Sequence, residues 1–205
     1  MDLREKKTKR SIKQAFLQLR EQKPLERITI KELAELAEIS KATFYLHYKD
    51  IYDLSGQLET EVIQDVLRRI DHPADFLTDP SLFLTELVGA FQSCQQSIDV
   101  LFSGSRERVL PENLEQGLRQ HICDIAPQLR DDADFQVLLT YQVQGGYYAY
   151  MKNRQRYRKN SSELIALLAG QSQGGYEAFL QSRQQDNKPD GLDCLQKEEP
   201  ATGEM

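Results

Sequence analysis

Apolar residues in this chain recur at intervals of three and four, and the runs that carry this period are cut by prolines, glycines and capping residues. Ile12, Ala15, Phe16 and Leu19 fall at i, i+3, i+4 and i+7, which places them on one helix face. Pro24 closes that segment. No run alternates apolar and polar residues over a convincing strand length, and no internal repeat is present. The period therefore predicts an all-α chain of eight or nine helices.

The punctuation sets the boundaries. Thr29-Ile30-Lys31-Glu32 fits a capping box, with Ile28 and Leu33 spaced as its hydrophobic staple. The short helix that follows is halted by Ser40, itself a good N-cap for another. Asp50 and Asp53 suit the start of a longer helix through Ile70, ended by His72-Pro73. Asp79-Pro80 opens one expected to run through Phe83, Phe91, Cys94 and Ile98 to near Gly104. Pro111-Glu112 opens another, ended by Pro127. Two long segments follow, at about 132–157 and 161–183. Residues 184–205 are polar and rich in helix breakers, and are expected to form a disordered tail.

Charge divides the chain. The net charge is −6, which taken whole argues against a nucleic-acid partner. Residues 1–53, however, hold twelve Lys/Arg against nine Asp/Glu, an excess of +3. The remaining residues hold fourteen against twenty-three, a balance of −9. No apolar run nears the ~18–20 residues of a membrane helix, and no apolar stretch follows the charged N-terminus as in a secretory signal. Cys94, Cys123 and Cys194 are odd in number, and no CxxC pair occurs. Neither a disulfide framework nor a zinc site is expected, and a reducing cytoplasm is the simplest compartment. His121 and Cys123 share a helix but supply only two of the three or four ligands a metal needs. No phosphate loop, nucleophile and base set or carboxylate pair stands out, so no enzymatic chemistry and no cofactor are expected.

Residues 29–48, TIKELAELAEISKATFYLHY, read as two short helices joined at Glu38-Ile39-Ser40. Such a pair can lay the N-terminal end of its second helix in a DNA major groove. Phe44 and Tyr48, four apart, are expected in the core. Lys41, Ala42, Thr43, Tyr45 and Leu46 are expected outward, with Thr43 able to donate, accept or touch a thymine methyl. Tyr45, His47 and Lys49 are candidates for phosphate contacts, as are the exposed Lys31 and Lys41. The basic run Arg4, Lys6, Lys7, Lys9, Arg10 and Lys13 is either a solvated end or an arm that touches DNA.

This stretch resembles the DNA-binding domain of the TetR family of bacterial transcriptional regulators. Thr29, Leu33, Ala34, Ala37, Ile39, Ser40, Thr43, Phe44, Tyr45, His47, Tyr48 and Leu54 stand in register with the family pattern, over about residues 8–55. Two positions depart from it. Glu38 stands where the family usually has Gly, and Ile51 where it often has Lys. If Glu38 takes a positive φ, it carries roughly 1 kcal/mol of strain.

The resemblance implies a three-helix DNA-binding domain with a helix-turn-helix at 1–54, followed by a larger helical dimerisation and ligand-binding domain at 55–183. Thr29, Lys31, Ser40, Lys41, Ala42, Thr43, Tyr45, Leu46, His47 and Lys49 would meet DNA. The helices at 132–157 and 161–183 would pair with a second subunit's. Phe91, Cys94, His121, Tyr141 and Tyr148 are the expected lining of an effector cavity. The late tyrosine cluster is read either as part of that cavity or as dimer packing, and Gly145, Gly146, Gly170, Gly174 and Gly175 as sites of close helix approach. The C-terminal half is also loosely similar to regulators of dihydroxyacetone kinase operons, on a Gly-Gly-aromatic pattern followed by Ser-Ser-Glu-Leu. The expected function is a dimeric repressor of a palindromic operator, released by a small molecule. The alternative is an activator or interaction protein whose C-terminal domain binds a protein partner.

Overall fold

The computed structural model describes residues 3–72, 75–157 and 161–186, and among them there are helices and no strand. In chain order these are α1 (Leu3–Gln22), α2 (Ile30–Leu36), α3 (Lys41–Tyr45), α4 (Ile51–Leu67), α5 (Asp75–Thr78), α6 (Pro80–Ser93), α7 (Gln95–Leu101), α8 (Val109–Ile125), α9 (Ala133–Asn153) and α10 (Ser161–Asp186). Short 3-10 turns at Leu25–Arg27, Gly104–Arg106 and Pro127–Leu129 join some of them.

The chain divides into two compact units. The first is Met1–Asp65 with Ser93–Asn113, and the second is Val66–Gln92 with Leu114–Met205. The boundary expected at 54/55 thus differs in two ways: α4 belongs largely with the helices before it, and a later segment returns to join them. Arg20, near the end of α1, holds that segment. Its Nη2 donates to the carbonyls of Leu101 and Ser103 at 3.3 Å and to Ser103 Oγ at 2.7 Å, and its Nη1 donates to Lys23 O at 3.3 Å. The side chain is buried, and burial pulls its guanidinium below the usual range. A second tie joins Arg106 to Glu59, which is fully buried. Arg106 Nε donates to Glu59 Oε1 at 2.9 Å and its Nη2 donates to Glu59 Oε2, while Ser55 Oγ donates to Oε1 at 2.7 Å. A buried carboxylate is tolerable only when so paired.

In the first unit α1 packs on α2 and α7, and α2 on α3. Ile12, Ala15, Phe16 and Leu19 are all buried, as their spacing requires. The basic N-terminal run is not an extended arm in the described residues. It lies on α1, where Lys9 pairs with Glu5 at 3.0 Å and Lys13 with Glu61 at 2.7 Å.

Other boundaries shift. The helix expected from Pro80 to near Gly104 is two, broken at Cys94, whose φ of −104° and ψ of 6° leave helical geometry. Phe91, Cys94 and Ile98 keep a helical period across that break and are all buried, which is why periodicity reads straight through it. The helix that opens at Ile51 ends at Leu67, short of Ile70. Asp79 caps α6 by accepting from Leu82 N at 3.0 Å, and Asp132 caps α9 by accepting from Phe135 N at 2.9 Å. The long helix expected to reach about 157 ends at Asn153. The last helix continues to Asp186, past the expected start of the tail, and the rest of that tail lies outside the described residues. In the second unit α9 and α10 pack together. Gln142 meets Ser172 while Leu138 meets Gly175, so the two run antiparallel.

Candidate functional site

The α2–α3 pair is built by local chemistry. Thr29 caps α2: its hydroxyl accepts from Glu32 N at 3.3 Å, and the Glu32 carboxylate accepts in return from the Thr29 backbone at 3.5 Å and hydroxyl at 3.2 Å. Glu32 also pairs with Lys23, and that bond leads the causes holding its carboxyl below the usual range. Ile28 and Leu33 are both buried, at the staple positions.

A Schellman motif ends α2. Ile39 N donates to Ala34 O at 2.9 Å and Glu38 N to Glu35 O at 3.2 Å, with Glu38 at φ 55°. The expected strain at Glu38 is therefore present. Ser40 then caps α3, its Oγ accepting from Thr43 N at 3.0 Å.

From that cap, α3 turns Phe44 and Tyr48 inward. They are 0% and 6% exposed, with ring centroids 5.7 Å apart. Lys41, Ala42, Tyr45, Leu46 and Lys49 are exposed, Tyr45 at 58% and Leu46 at 81%. Thr43 is half-buried, and its Oγ1 lies 2.8 Å from Ser40 Oγ, so its hydroxyl is engaged within the protein. His47 is half-buried beside Tyr48, with ring centroids 6.4 Å apart. Thr29 and Lys31 are exposed, but the Thr29 hydroxyl serves the capping box and Lys31 Nζ lies 4.0 Å from Glu35. Lys49 N donates to Asp53 Oδ2 at 2.8 Å, the first cause of a lowered Asp53 pKa, and Asp50 Oδ1 caps α4 by accepting from Asp53 N at 2.8 Å.

The +3 of residues 1–53 does not describe the whole compact unit. Residues 54–65 and 93–113 add Arg106 and Arg108 against Glu59, Glu61, Asp65, Asp99, Glu107 and Glu112, which brings the unit to −1. Several of its acidic groups are occupied, however: Glu5, Glu32, Glu35, Glu59 and Glu61 each face a Lys or Arg. Lys6, Lys7, Arg10, Arg27, Lys41 and Lys49 have no ion-pair partner among the described residues. A near-neutral unit thus keeps unneutralised cations on α1, on α3 and just after it.

The second unit holds a cavity of about 80 Å³. Phe76, Phe83, Phe91, Leu118, Val143 and Tyr176 are among its buried walls. Of the five residues expected to line an effector cavity, Phe91 is among the walls of this cavity. Cys94, His121, Tyr141 and Tyr148 are not among the lining residues. Cys94 sits at the break after α6, and His121 lies one turn beyond Leu118 on α8. Tyr141 and Tyr148 are 72% and 52% exposed. The reason is rotation: Leu138, Gln142, Gly146 and Tyr150 form the i+4 row that meets the cavity, and seven residues are about two turns, so Tyr141 and Tyr148 share the opposite face. Gln142 and Ser172 are polar wall residues absent from the expected lining, and for Gln142 that i+4 row was the signal. Gln142 Nε2 donates to Ser172 O at 3.2 Å, and Ser172 Oγ donates to Gln142 Oε1 at 2.7 Å.

The glycines are not all alike. A Cβ on Gly175 would come within 2.6 Å of Gln142 Nε2, so close approach explains that one. Gly145, Gly146, Gly170 and Gly174 meet nothing within 4 Å, and close packing within this chain does not explain them.

No group of three or more His, Cys, Asp or Glu among the described residues could hold a metal ion, and no described helix is long and apolar enough to cross a membrane. No protein-family model matches this chain, and searches of curated proteins and of solved structures find no match.

Proposed function

We propose that the chain is a TetR-like transcriptional regulator that binds a palindromic operator as a homodimer, with α2 and α3 as its helix-turn-helix and α3 as the helix that enters the major groove. The observation that carries this reading is α3 itself. Ser40 caps it, Phe44 and Tyr48 anchor it, and Lys41, Ala42, Tyr45 and Leu46 stand exposed. A helix held from beneath, with small and polar residues at its outer N-terminal end, suits close approach to base edges. Lys41 and Lys49 there, with Lys6, Lys7 and Arg10 on α1, supply cations for phosphates.

Dimerisation is supported by the outer faces of α9 and α10. Val137, Tyr141, Gly145 and Tyr148 are exposed on α9, and Leu167, Gly170 and Gly174 on α10. Exposed apolar side chains beside glycines that have no packing role within the chain suit a second copy's helices. In this reading the regulator is a repressor, and a small molecule releases it. A ligand that binds better to the DNA-free state weakens DNA binding through linkage.

The test is a gel shift with the DNA upstream of the protein's own gene. A sequence-dependent, salt-sensitive shift is expected, and Lys49→Ala should weaken it for all sequences and flatten its salt dependence. The absence of any shift at low salt, with a protein partner bound instead, would favour the interaction-protein reading.

A further inference from the structure

We infer that the cavity in the second unit binds a small, uncharged, largely apolar molecule, and that its walls select against ionised groups. None of its described lining residues is Asp, Glu, Lys, Arg or His. An ionised ligand would leave water for apolar walls with no counter-charge at the site, which is the costly transfer. The polar side chains present are few. Gln142 and Ser172 bond to each other, which engages one donor and one acceptor site of the Gln142 amide and the proton of the Ser172 hydroxyl.

Several of the apolar walls are only partly covered by the chain itself. Leu84, Leu87, Val88, Leu138 and Leu168 line the cavity yet remain only half-buried. Tyr150 lines it too, and its hydroxyl makes no hydrogen bond among the described residues. Apolar side chains converging from several helices, with one available hydroxyl, suit a hydrocarbon-like body carrying at most one neutral polar group. The volume of about 80 Å³ sets the scale at a small ring or a short branched chain. Gly146 forms part of the wall, and a Cβ there would meet nothing within 4 Å. The first carbon of a larger side chain at that position therefore meets no obstacle.

Occupancy of the cavity does not depend on DNA. Any effect of the ligand on DNA rests on the regulator reading, so binding is measured on the purified full-length chain alone. Four probes of similar size separate the chemistry: toluene, benzyl alcohol, benzoate and benzylammonium. Toluene and benzyl alcohol are expected to raise Tm saturably and to give a measurable heat of binding, while benzoate and benzylammonium do neither at equal concentration. Gly146→Leu should keep the native fold and weaken toluene binding at least tenfold. Leu168→Phe, which fills the space from α10, should do the same and covers the case in which Gly146→Leu does not fold. The inference is overturned if toluene does not bind the native chain, if benzoate or benzylammonium binds as well as toluene, or if a folded cavity-filling variant binds toluene as tightly as the native chain. A separate gel shift without toluene keeps the two readings apart: toluene binding by a chain that shifts no DNA in toluene's absence leaves the cavity inference standing and removes the regulator reading.

Discussion

Glu38 is the described non-glycine residue with a positive φ, and it stands in the turn between α2 and α3. A left-handed residue with a Cβ costs roughly 1 kcal/mol, and the Schellman bonds around it hold that conformation in place. Glu38→Gly or Glu38→Asn should raise the first unit's stability by about 1 kcal/mol, read from chemical denaturation. An unchanged or lower midpoint would show that the strain is offset in a way the backbone does not reveal. Thr43 changes meaning in the structure. Its sequence position left donor, acceptor and methyl roles open, but its hydroxyl is engaged with Ser40 at 2.8 Å. That bond uses one of the hydroxyl's hydrogen-bonding sites, while the methyl group stays wholly free. In the DNA-binding reading, Thr43→Val should keep operator preference, and Thr43→Ser should lose preference for a thymine. Replacing that thymine by deoxyuridine should remove the difference between the two variants. A Thr43→Val protein with a new preference would restore the hydroxyl as the reading group.

At the scale of elements, the short helices were the most legible part of the sequence. Their ends are set within four residues, by Thr29 with Glu32 and by Ser40 with Thr43, and sequence shows such pairs directly. What the sequence concealed was long-range. Nothing near Arg20 announces Leu101 or Ser103, and nothing near Glu59 announces Arg106, because those bonds exist only once the chain has returned on itself. The break at Cys94 was hidden because the period of buried residues continues across it. The cavity was half legible: the aromatic cluster was visible, but spacing without a rotational reference chose Tyr141 and Tyr148 on the wrong face. The glycines give a test at this scale. Helical Gly→Ala gains about 1 kcal/mol of propensity. At Gly174 nothing opposes that gain within one chain. At Gly175 the new methyl strikes Gln142 Nε2, and losing the bond from that nitrogen to Ser172 O costs about 1 kcal/mol. Gly175→Ala should therefore be near neutral in a monomer and Gly174→Ala stabilising. In the dimer reading, Gly174→Ala should instead weaken self-association, measured by sedimentation across concentration. Unchanged association would place Gly174 outside the interface.

For the molecule as a whole, net charge was the least informative quantity. The overall −6 spoke against DNA, the +3 of the first 53 residues spoke for it, and the compact first unit stands at −1. What matters physically is which cations lack a partner, and that required the ion pairs to be seen. Another pair gives stability a pH dependence in the second unit. His72 Nδ1 lies 2.8 Å from Glu86 Oε1, and the Glu86 carboxylate raises the His72 pKa above its ordinary 6.5. A raised folded-state pKa contributes stability in full below pH 6.5, and that contribution is lost as pH rises through the folded value. Tm should thus fall on moving upward from pH 6.5, and His72→Ala should remove that part of the slope. A slope unchanged in the variant would assign it to other groups.

The central claim is that two copies of this chain read a palindrome with α3. The direct measurement is selection of bound duplexes from a random DNA pool by the purified full-length protein, followed by sequencing of what it retains. The account predicts enrichment of two inverted half-sites with centres about one helical turn, or a simple multiple of it, apart, and loss of that enrichment when Tyr45 and Lys49 are both changed to Ala. Retention of no preferred sequence at low salt, or of one without inverted symmetry, would contradict it.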